Sequence, residues 1–573
     1  MRNSERLSII ALGGLLALGG NCFGQVLSGD LSALAPVGNS ANKAGIDDGG
    51  SGVIPSVRII VQFKSAPTQA DFDAVSALGG TLQTSLTSAN AGHYQYPISA
   101  LKSLSKLSNI KYATPDRLVQ RNMEFARPAL NAQIAQQYGW DGRGIGIAVI
   151  DSEVAAVADL KDANCSSSRV VYSQTFPLPG SSNAYGHGTH VAGIIAGNGA
   201  CSVPSANQKV SFRGIAPKAN IISLRVLDAN GSGYDSSVIA AIDRAIQLKN
   251  TYNIRVINLS LGRAVLESYT LDPLCQAVER AWKAGIVVVA AAGNMGRLSQ
   301  TNGYATIASP GNDPFVITVG AMNDAKTTSR GDDVMTSYSS KGPTTFDRVV
   351  KPDLVAPGNA IVSTLASPSA TLALLPNTVV AGSYYTTQSN PVPSYLRLSG
   401  TSMAAPMVSG AAALLLEKNP NLTPNQVKAR LMKTATKNFP SSSTIVDPVT
   451  GTAYLVNYDL FTVGAGYLDV WAALNNYDLT YASASTPLSL TVIRNSTTGK
   501  VTLSSGSNVV WGDGSIWGSN VVWGDLVIVN GTSQVAGASL AWGSSSAASV
   551  IWGNNVVWGD NVVWGDVQTN GDR

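Results

Sequence analysis

Four kinds of group in this chain could together support attack by a serine hydroxyl on a carbonyl carbon. Ser402 stands in GTSMAAP at residues 400–406, and two histidines share HGTHVAG at residues 187–193. A serine hydroxyl is a weak nucleophile, so it needs a base that takes its proton and an acid that orients the base. The oxyanion that forms also needs hydrogen-bond donors. Acyl transfer is the chemistry that such a set of groups performs.

The base must be one of two histidines. The chain contains three, and His93 lies in a separate N-terminal segment. His187 and His190 stand three residues apart at the start of a predicted helix, so both lie near the same face of that helix. Spacing alone therefore leaves open which of them takes the proton.

The acid and the oxyanion donors have candidates at the ends of apolar segments. Asp151 follows the apolar run at residues 145–150, and Asn294 follows a second run at residues 287–291. The carboxyl ends of parallel strands are where α/β sheets assemble their sites. Ser402 precedes a long apolar helix, whose positive end and first N–H groups favour a developing anion. Singly, each residue is equally well explained as a turn or cap residue, but the chain order Asp, His, Ser is specific.

Apolar strands alternate with helical stretches between residues 144 and 320, and these elements must position the polar groups. The strands are continuous apolar runs at residues 145–150, 221–226, 256–259 and 286–290. Such runs between helices predict a parallel sheet that is buried on both faces. The expected fold class is therefore α/β, with a parallel sheet flanked by helices.

The motifs together resemble those of the subtilisin family of serine peptidases, over roughly residues 140–477. The motifs that carry the resemblance are VIDS at residues 149–152, HGTHVAG at 187–193, AGN at 292–294 and GTSMAAP at 400–406. The resemblance implies a subtilisin-like fold and an active serine endopeptidase, since no member of the triad is missing.

The resemblance also implies a role for each polar residue. Ser402 is expected to be the nucleophile, His187 the base, Asp151 the acid that orients it, and Asn294 an oxyanion donor. His190 is then a packing residue. Two segments are implied to sandwich a peptide substrate as an added strand. These segments are Gly231, Ser232, Gly233 and Ser260, Leu261, Gly262.

The sequence departs from the family pattern just after the acid. Glu153 stands where the family usually has Gly, and Val157 and Ala158 replace the usual His-Pro. The departure weakens any calcium site that would use Asp159. We therefore assign no metal and expect no required cofactor, while calcium remains possible but unassigned.

Three parts are expected before the peptidase domain. Residues 1–24 join two arginines to a short apolar stretch, as in a signal peptide, and residues 25–56 are a flexible linker rich in Gly and Ser. Residues 57–120 form a small α+β unit that resembles the family's inhibitory propeptide. A membrane anchor or lipoprotein and an ordinary accessory domain are the alternatives for the first and third parts.

Residues 125–478 are expected to form the peptidase domain, and a repeat region is expected at residues 479–573. The hexapeptide NVVWGD at residues 508–513 recurs at 520–525, 555–560 and 561–566. Short repeats of this kind predict a β-rich or weakly ordered tail. The tail is either a spacer or a means of surface attachment through its tryptophans.

Composition excludes some partners. The chain is 45% hydrophobic and 13% charged, with a net charge of +4, and it has no long basic run, so no nucleic-acid partner is expected. No transmembrane segment is expected either. Cys165 and Cys201 flank the segment that carries His187 and could form one bridge, but three buried free thiols with Cys275 are an alternative.

The expected function is that of a secreted or cell-surface serine endopeptidase that forms an acyl-enzyme on Ser402. Its partners would be protein or peptide substrates and its own propeptide, an intramolecular inhibitor removed by autoprocessing. Two alternatives are an acid peptidase of the sedolisin kind, against which His187 argues, and an adhesion protein whose tail matters most. Residues 295–310 do not align clearly with the family, so the side-chain specificity is not predicted.

Overall fold

The structure is a computed structural model that divides the chain into two units, Met1–Gln120 and Arg121–Arg573. It describes residues 26–27, 31, 56–86, 89–115, 125–477, 487–494, 501–504, 520–523 and 526–529. The predicted signal peptide, most of the predicted linker and most of the repeats lie outside the described residues. So do residues 118–124, where the family resemblance leads us to expect self-cleavage of the precursor.

The N-terminal unit is a four-stranded antiparallel sheet with helices. Its elements are β1 (Ser56–Phe63), α1 (Gln69–Ala77), β2 (Thr81–Leu86), β3 (Ala91–Pro97), a 3₁₀ helix (Ile98–Lys106) and β4 (Ile110–Pro115). The strand order is β2-β3-β1-β4. In β1 the side chains alternate, so Ile59 and Val61 are buried while Arg58 is exposed. The period of two explains why this run forms a strand with one covered face.

The second unit is built on an eight-stranded sheet. Its strands are β5 (Gly146–Asp151), β6 (Val170–Thr175), β7 (Asn220–Arg225), β8 (Ile254–Leu259), β9 (Val287–Ala291), β10 (Ile317–Asn323), β11 (Val334–Met335) and β12 (Leu354–Pro357). The order is β11-β10-β9-β8-β5-β7-β6, with β12 also paired to β10. Every pairing is parallel except that of β10 with β11. The predicted parallel sheet is confirmed.

Helices alternate with these strands, and several of them pack on the sheet. They are α2 (Ala126–Ala129), α3 (Ala132–Gln137), α4 (His187–Ala196), α5 (Asp235–Leu248), α6 (Pro273–Lys283), α7 (Gly382–Tyr385), α8 (Thr401–Lys418), α9 (Pro424–Thr434), α10 (Leu460–Val463) and α11 (Val470–Leu474). Helix α5 buries Val238, Ala241, Ile242 and Ala245, which recur at helical spacing on one face. By contrast α8 is buried all round as far as Leu416, as its apolar sequence requires.

Smaller strand pairs complete the described structure. They are β13 (Ile361–Thr364) with β14 (Tyr395–Leu398), β15 (Ser442–Val446) with β16 (Ala453–Asn457), β17 (Thr491–Arg494) with β18 (Val501–Ser504), and β19 (Asn520–Trp523) with β20 (Leu526–Val529). All four pairs are antiparallel. The last two lie in the segment predicted to be β-rich.

The hydrophobic core of the second unit extends past the boundary expected at residue 478. Leu488, Leu490 and Val492 are buried and belong to the same core as the sheet. The Val350 N–H donates to the Leu490 carbonyl, and the Val492 N–H donates to the Arg348 carbonyl. Sequence texture placed the boundary too early because these contacts join residues far apart in the chain.

Among the described residues, no helix is both long and apolar enough to cross a bilayer.

Candidate active site

The carboxyl end of β5 meets the first turn of α4 through a short contact between an acid and an imidazole. His187 Nδ1 lies 2.8 Å from Asp151 Oδ1 and 3.0 Å from Oδ2, and both side chains are fully buried. The Ser152 N–H donates to Asp151 Oδ1 at 2.6 Å, which fixes the carboxylate. Because Nδ1 faces the acid, Nε2 is the ring atom that can act on another group. Within the described residues Nε2 has no hydrogen-bond partner.

The second histidine makes a different contact. His190 Nε2 donates to the Ile361 carbonyl at 3.1 Å, on the side of α4 that faces β13. Burial, with a smaller contribution from His187, lowers the pKa of His190 to about 3. His190 is therefore a neutral packing residue in this fold, and the structure pairs His187 with the acid.

Close backbone approach sets the position of His187. A Cβ atom on Gly188 would lie 2.6 Å from the Ser152 carbonyl oxygen, so only glycine allows the segment after β5 to touch α4 here. The Gly188 N–H donates to Ser152 Oγ at 2.9 Å. The contact holds the first turn of α4 against the acid.

Ser402 lies at the start of α8, which packs against both α4 and the sheet. Its Oγ donates to the Ser260 carbonyl at 3.0 Å, and Ser260 Oγ donates back to the Ser402 carbonyl at 2.8 Å. Ser260 directly follows β8. The nucleophile candidate is thus held to the segment that sequence analysis assigned to substrate binding.

Asn294 is oriented by the residue that precedes Ser402. Its Oδ1 accepts from the Thr401 N–H at 2.9 Å and from Thr401 Oγ1 at 3.1 Å. Thr401 Oγ1 in turn accepts from the Gly293 N–H at 3.1 Å. Because a backbone N–H can only donate, the atom of Asn294 that faces α8 must be the oxygen. The amide nitrogen of Asn294 is the other terminal atom of this side chain, so it is not the atom that contacts Thr401.

The two expected substrate segments are shaped by close contacts. Gly231 has a φ of +76°, and a Cβ there would lie 2.6 Å from the ring of Tyr185. Asp228 Oδ1 accepts from the Ser232 N–H at 2.9 Å and closes this turn. In the other segment, a Cβ on Gly262 would lie 2.9 Å from a side-chain atom of residue 308. Glycine is required at both positions by the proximity of these neighbours.

Two polar residues of the site were missed by sequence analysis. Asn258 Nδ2 donates to Ser260 Oγ at 2.9 Å, and Ser409 Oγ donates to Asn258 Oδ1 at 2.8 Å. Both side chains are buried. An asparagine inside the apolar strand β8 was the available signal, since a buried amide needs partners.

The structure resolves the cysteine alternatives and the surroundings of Asp159. Cys165 and Cys201 are bridged, and Cys275 is a buried free thiol. The buried Asp159 carboxylate accepts from the Cys201 N–H at 2.9 Å, the Ser202 N–H at 2.8 Å and the Tyr395 hydroxyl at 2.6 Å. The chain's own donors therefore satisfy this carboxylate.

The fold and the site together define a class. A parallel α/β sheet carries an acid, an imidazole and a serine at the start of a buried helix, in the chain order of one kind of serine endopeptidase. The Subtilase family model matches residues 142–466. The chain belongs to the subtilase family and is a serine endopeptidase.

Two sequence relatives agree with this assignment, and one solved structure is also similar to the chain. Serine protease AprX of Bacillus subtilis (strain 168) is 36% identical over 394 residues, covering 66% of this chain and 83% of that protein. Subtilisin E of the same strain is 33% identical over 368 residues, covering 64% and 80%. Fervidolysin from Fervidobacterium pennivorans, described as a keratinolytic enzyme related to subtilisin, has a TM-score of 0.42 at 22% identity, covering 75% of this chain and 62% of that one.

Proposed function

We propose that this chain is the precursor of an exported endopeptidase that cleaves peptide bonds through an acyl-enzyme on Ser402. The observation that supports the proposal most is the contact between Asp151 and His187 Nδ1, which leaves Nε2 as the working base. Peptides and proteins are the substrates of such an enzyme.

The proposed reaction assigns a step to each of these groups. Ser402 Oγ turns from the Ser260 carbonyl to His187 Nε2, gives up its proton and attacks the peptide carbonyl carbon. The oxyanion is bound by the Ser402 N–H and by the Asn294 amide nitrogen. The C–N bond breaks as the imidazolium returns its proton to the leaving amine. Water then repeats the cycle on the acyl-enzyme and releases the acid.

Asp151 acts on the imidazole alone. Its contact at Nδ1 fixes the tautomer that presents a lone pair at Nε2, and its charge stabilises the imidazolium. Segments 231–233 and 260–262 bind the peptide backbone as an added strand, so these contacts are made with the main chain of the substrate.

Three variants test this function on a short chromogenic peptide. Ser402→Ala and His187→Ala are expected to lose hydrolysis while keeping the fold, measured by circular dichroism. His190→Gln keeps a donor for the Ile361 carbonyl and is expected to retain hydrolysis. Activity in folded Ser402→Ala, or loss in His190→Gln with activity in His187→Ala, would refute the assignment.

The N-terminal unit is proposed as an intramolecular inhibitor that is removed by the enzyme itself. Its compact antiparallel sheet ends at Pro115, immediately before the chain reaches the expected cleavage region. The Ser402→Ala precursor should accumulate uncut, whereas the active precursor should yield a mature N-terminus between residues 116 and 128. An active enzyme that N-terminal sequencing finds to retain residues before 115 would make this unit a permanent domain.

Export is proposed from Arg2, Arg6 and the apolar residues 7–20. Expression with and without residues 2–24 tests it, because only the longer chain should deliver activity to the medium or the cell surface. Equal delivery by the two chains would contradict a signal peptide.

A further inference from the structure

Three consecutive residues, the last of β5 and the two that follow it, hold the segment that leads into α4. The first is Asp151, which contacts His187, and the second is Ser152, whose Oγ accepts from the Gly188 N–H. The third is Glu153, whose carbonyl accepts from Thr189 Oγ1 at 3.2 Å. Ser152 and Glu153 therefore bind the helix on the C-terminal side of His187, one through its side chain and the other through its backbone carbonyl.

The Glu153 carboxylate binds the backbone on the N-terminal side of His187. Its Oε1 accepts from the Gly186 N–H at 3.0 Å, and its Oε2 accepts from the Tyr185 N–H at 3.3 Å. One carboxylate thus binds the two residues that immediately precede the imidazole. The side chain is 19% exposed, so solvent competes little for these bonds.

A buried guanidinium supports the same loop. Arg225, at the end of β7, has Nη2 3.9 Å from Glu153 Oε2. Its Nη1 donates to the Ser182 carbonyl at 2.7 Å, and Nη2 donates to the Asn183 carbonyl at 2.8 Å. Burial raises the pKa of Glu153, and Arg225 and the two N–H groups oppose that rise. The Glu153 carboxylate and the Arg225 guanidinium therefore together hold the loop from Ser182 to Gly186 in place.

The conformation held by Glu153 bears directly on the imidazole. Gly186 has a φ of +98°, and this left-handed residue turns the chain into α4 at His187. The Tyr185 ring centroid lies 6.1 Å from that of His187, and the same ring touches the Gly231 turn. A shift at residues 185–186 would therefore move the base directly, because His187 is the next residue in the chain.

We propose that Glu153 is a positioning residue for His187, through its two hydrogen bonds to the backbone at Tyr185 and Gly186. The proposal rests on the proposed function of His187. It assigns a role to the position where the sequence departs from the glycine usual in the family, a position to which sequence analysis gave no role.

The test compares Glu153→Ala with a matched control, Glu417→Ala. Glu417 also accepts from two consecutive backbone N–H groups, those of Asp141 at 2.8 Å and Gly142 at 2.7 Å, at the far end of α8. Both variants lose the same kind of bonds, so both should unfold at lower temperature. Only Glu153→Ala should lower kcat, by about 10- to 100-fold, because a misplaced catalytic group loses rate on that scale. Its KM should change far less than kcat.

Two further variants keep the result decisive. Glu153→Gln retains one acceptor oxygen and should recover part of kcat, which also covers the case in which Glu153→Ala does not fold. In the His187→Ala background, Glu153→Ala should cause little further loss, since a residue that acts through the imidazole has no effect without it.

Equal kcat in Glu153→Ala, Glu153→Gln and the parent would overturn the proposal, as would an undiminished loss in the His187→Ala background. Either result leaves the proposed function intact if Ser402→Ala is inactive. An active Ser402→Ala would instead remove the function itself.

Discussion

The Ser260 hydroxyl donates to the Ser402 carbonyl at 2.8 Å, at a place where the helix cannot supply its own donor. In α8 the N–H of residue 406 would bond to the carbonyl of residue 402, but residue 406 is proline and has no N–H. Pro406 is the sixth residue of this helix and lies beyond its first turn. Ser260 therefore replaces a missing backbone bond at the nucleophile.

The first prediction concerns this replacement. Ser260→Ala should lower the free energy of unfolding by about 1 to 3 kcal/mol, because it leaves a buried carbonyl without a donor. It should also reduce kcat, since Ser402 loses one of its two anchors. Pro406→Ala restores the N–H, so Ser260→Ala should cost less stability in that background.

Urea unfolding of the four chains of this double-mutant cycle, each also carrying His187→Ala to prevent self-digestion, measures the coupling. If Ser260→Ala lowered the free energy of unfolding equally in the presence of Pro406 and in the Pro406→Ala background, the explanation would be contradicted.

Asn294→Ala should lower kcat by about 100- to 1000-fold with little change in KM, the loss known for one oxyanion donor in a subtilisin. Thr401→Val removes one of the two donors that orient Asn294, keeps the backbone bond and should cause a smaller loss. Steady-state kinetics on one peptide separates the two quantities. A loss confined to KM would reassign Asn294 to substrate binding.

The triad candidates could be predicted from sequence, where the family resemblance selected His187 as the base, but the contacts that distinguish the two histidines are visible only in the fold. Asp151 ends a strand that is recognisable from its apolar run, and that information is local. His187 and His190 differ only in what lies opposite them, which is β5 for one and β13 for the other. Residue 361 is distant in sequence, so no local pattern could show this contact.

Glu153 and the C-terminal strand were missed for the same reason. Glu153 was identified only as a departure from the family pattern, because its partners at residues 185 and 186 approach it only in the folded chain. Strand β17 joins the core by pairing Val349 with Thr491, and its sequence has the same texture as the repeats that follow.

His190 predicts a specific pH dependence of stability. Burial lowers its folded pKa to about 3, whereas the unfolded chain binds the proton near its ordinary value of 6.5. The stability it contributes is complete above about 6.5 and is lost as the pH falls toward 3. The groups facing it are the His187 ring and the carbonyl groups of Ile361 and Leu396.

Urea unfolding in the Ser402→Ala background should show this loss between pH 6.5 and 4.5. His190→Gln should reduce the loss over that range by about 2 to 3 kcal/mol, at roughly 1.4 kcal/mol per pH unit. An unchanged pH slope would mean that His190 titrates normally in the folded chain.

The free energy of unfolding of a C-terminally truncated chain should depend on the residue at which the chain ends. A chain that ends after residue 477 lacks the buried Leu488 and Leu490. It also lacks the Ser489 hydroxyl, which donates to Asp353 and accepts from Lys428. Its free energy of unfolding should fall by more than about 2 kcal/mol, the lower range for emptying one buried leucine site. A chain that ends after residue 494 should keep the free energy of unfolding of the parent chain. Thermal unfolding that is identical for the two chains would show that this strand is dispensable.

The central claim is that Ser402 is the nucleophile activated by His187. Its most direct measurement is mass spectrometry of the mature enzyme after treatment with a serine-directed fluorophosphonate. The account predicts a single adduct on Ser402, complete loss of peptide hydrolysis in step with labelling, and no adduct in His187→Ala over the same time. An adduct on Ser260 or another serine, or full activity after Ser402 is labelled, would contradict it.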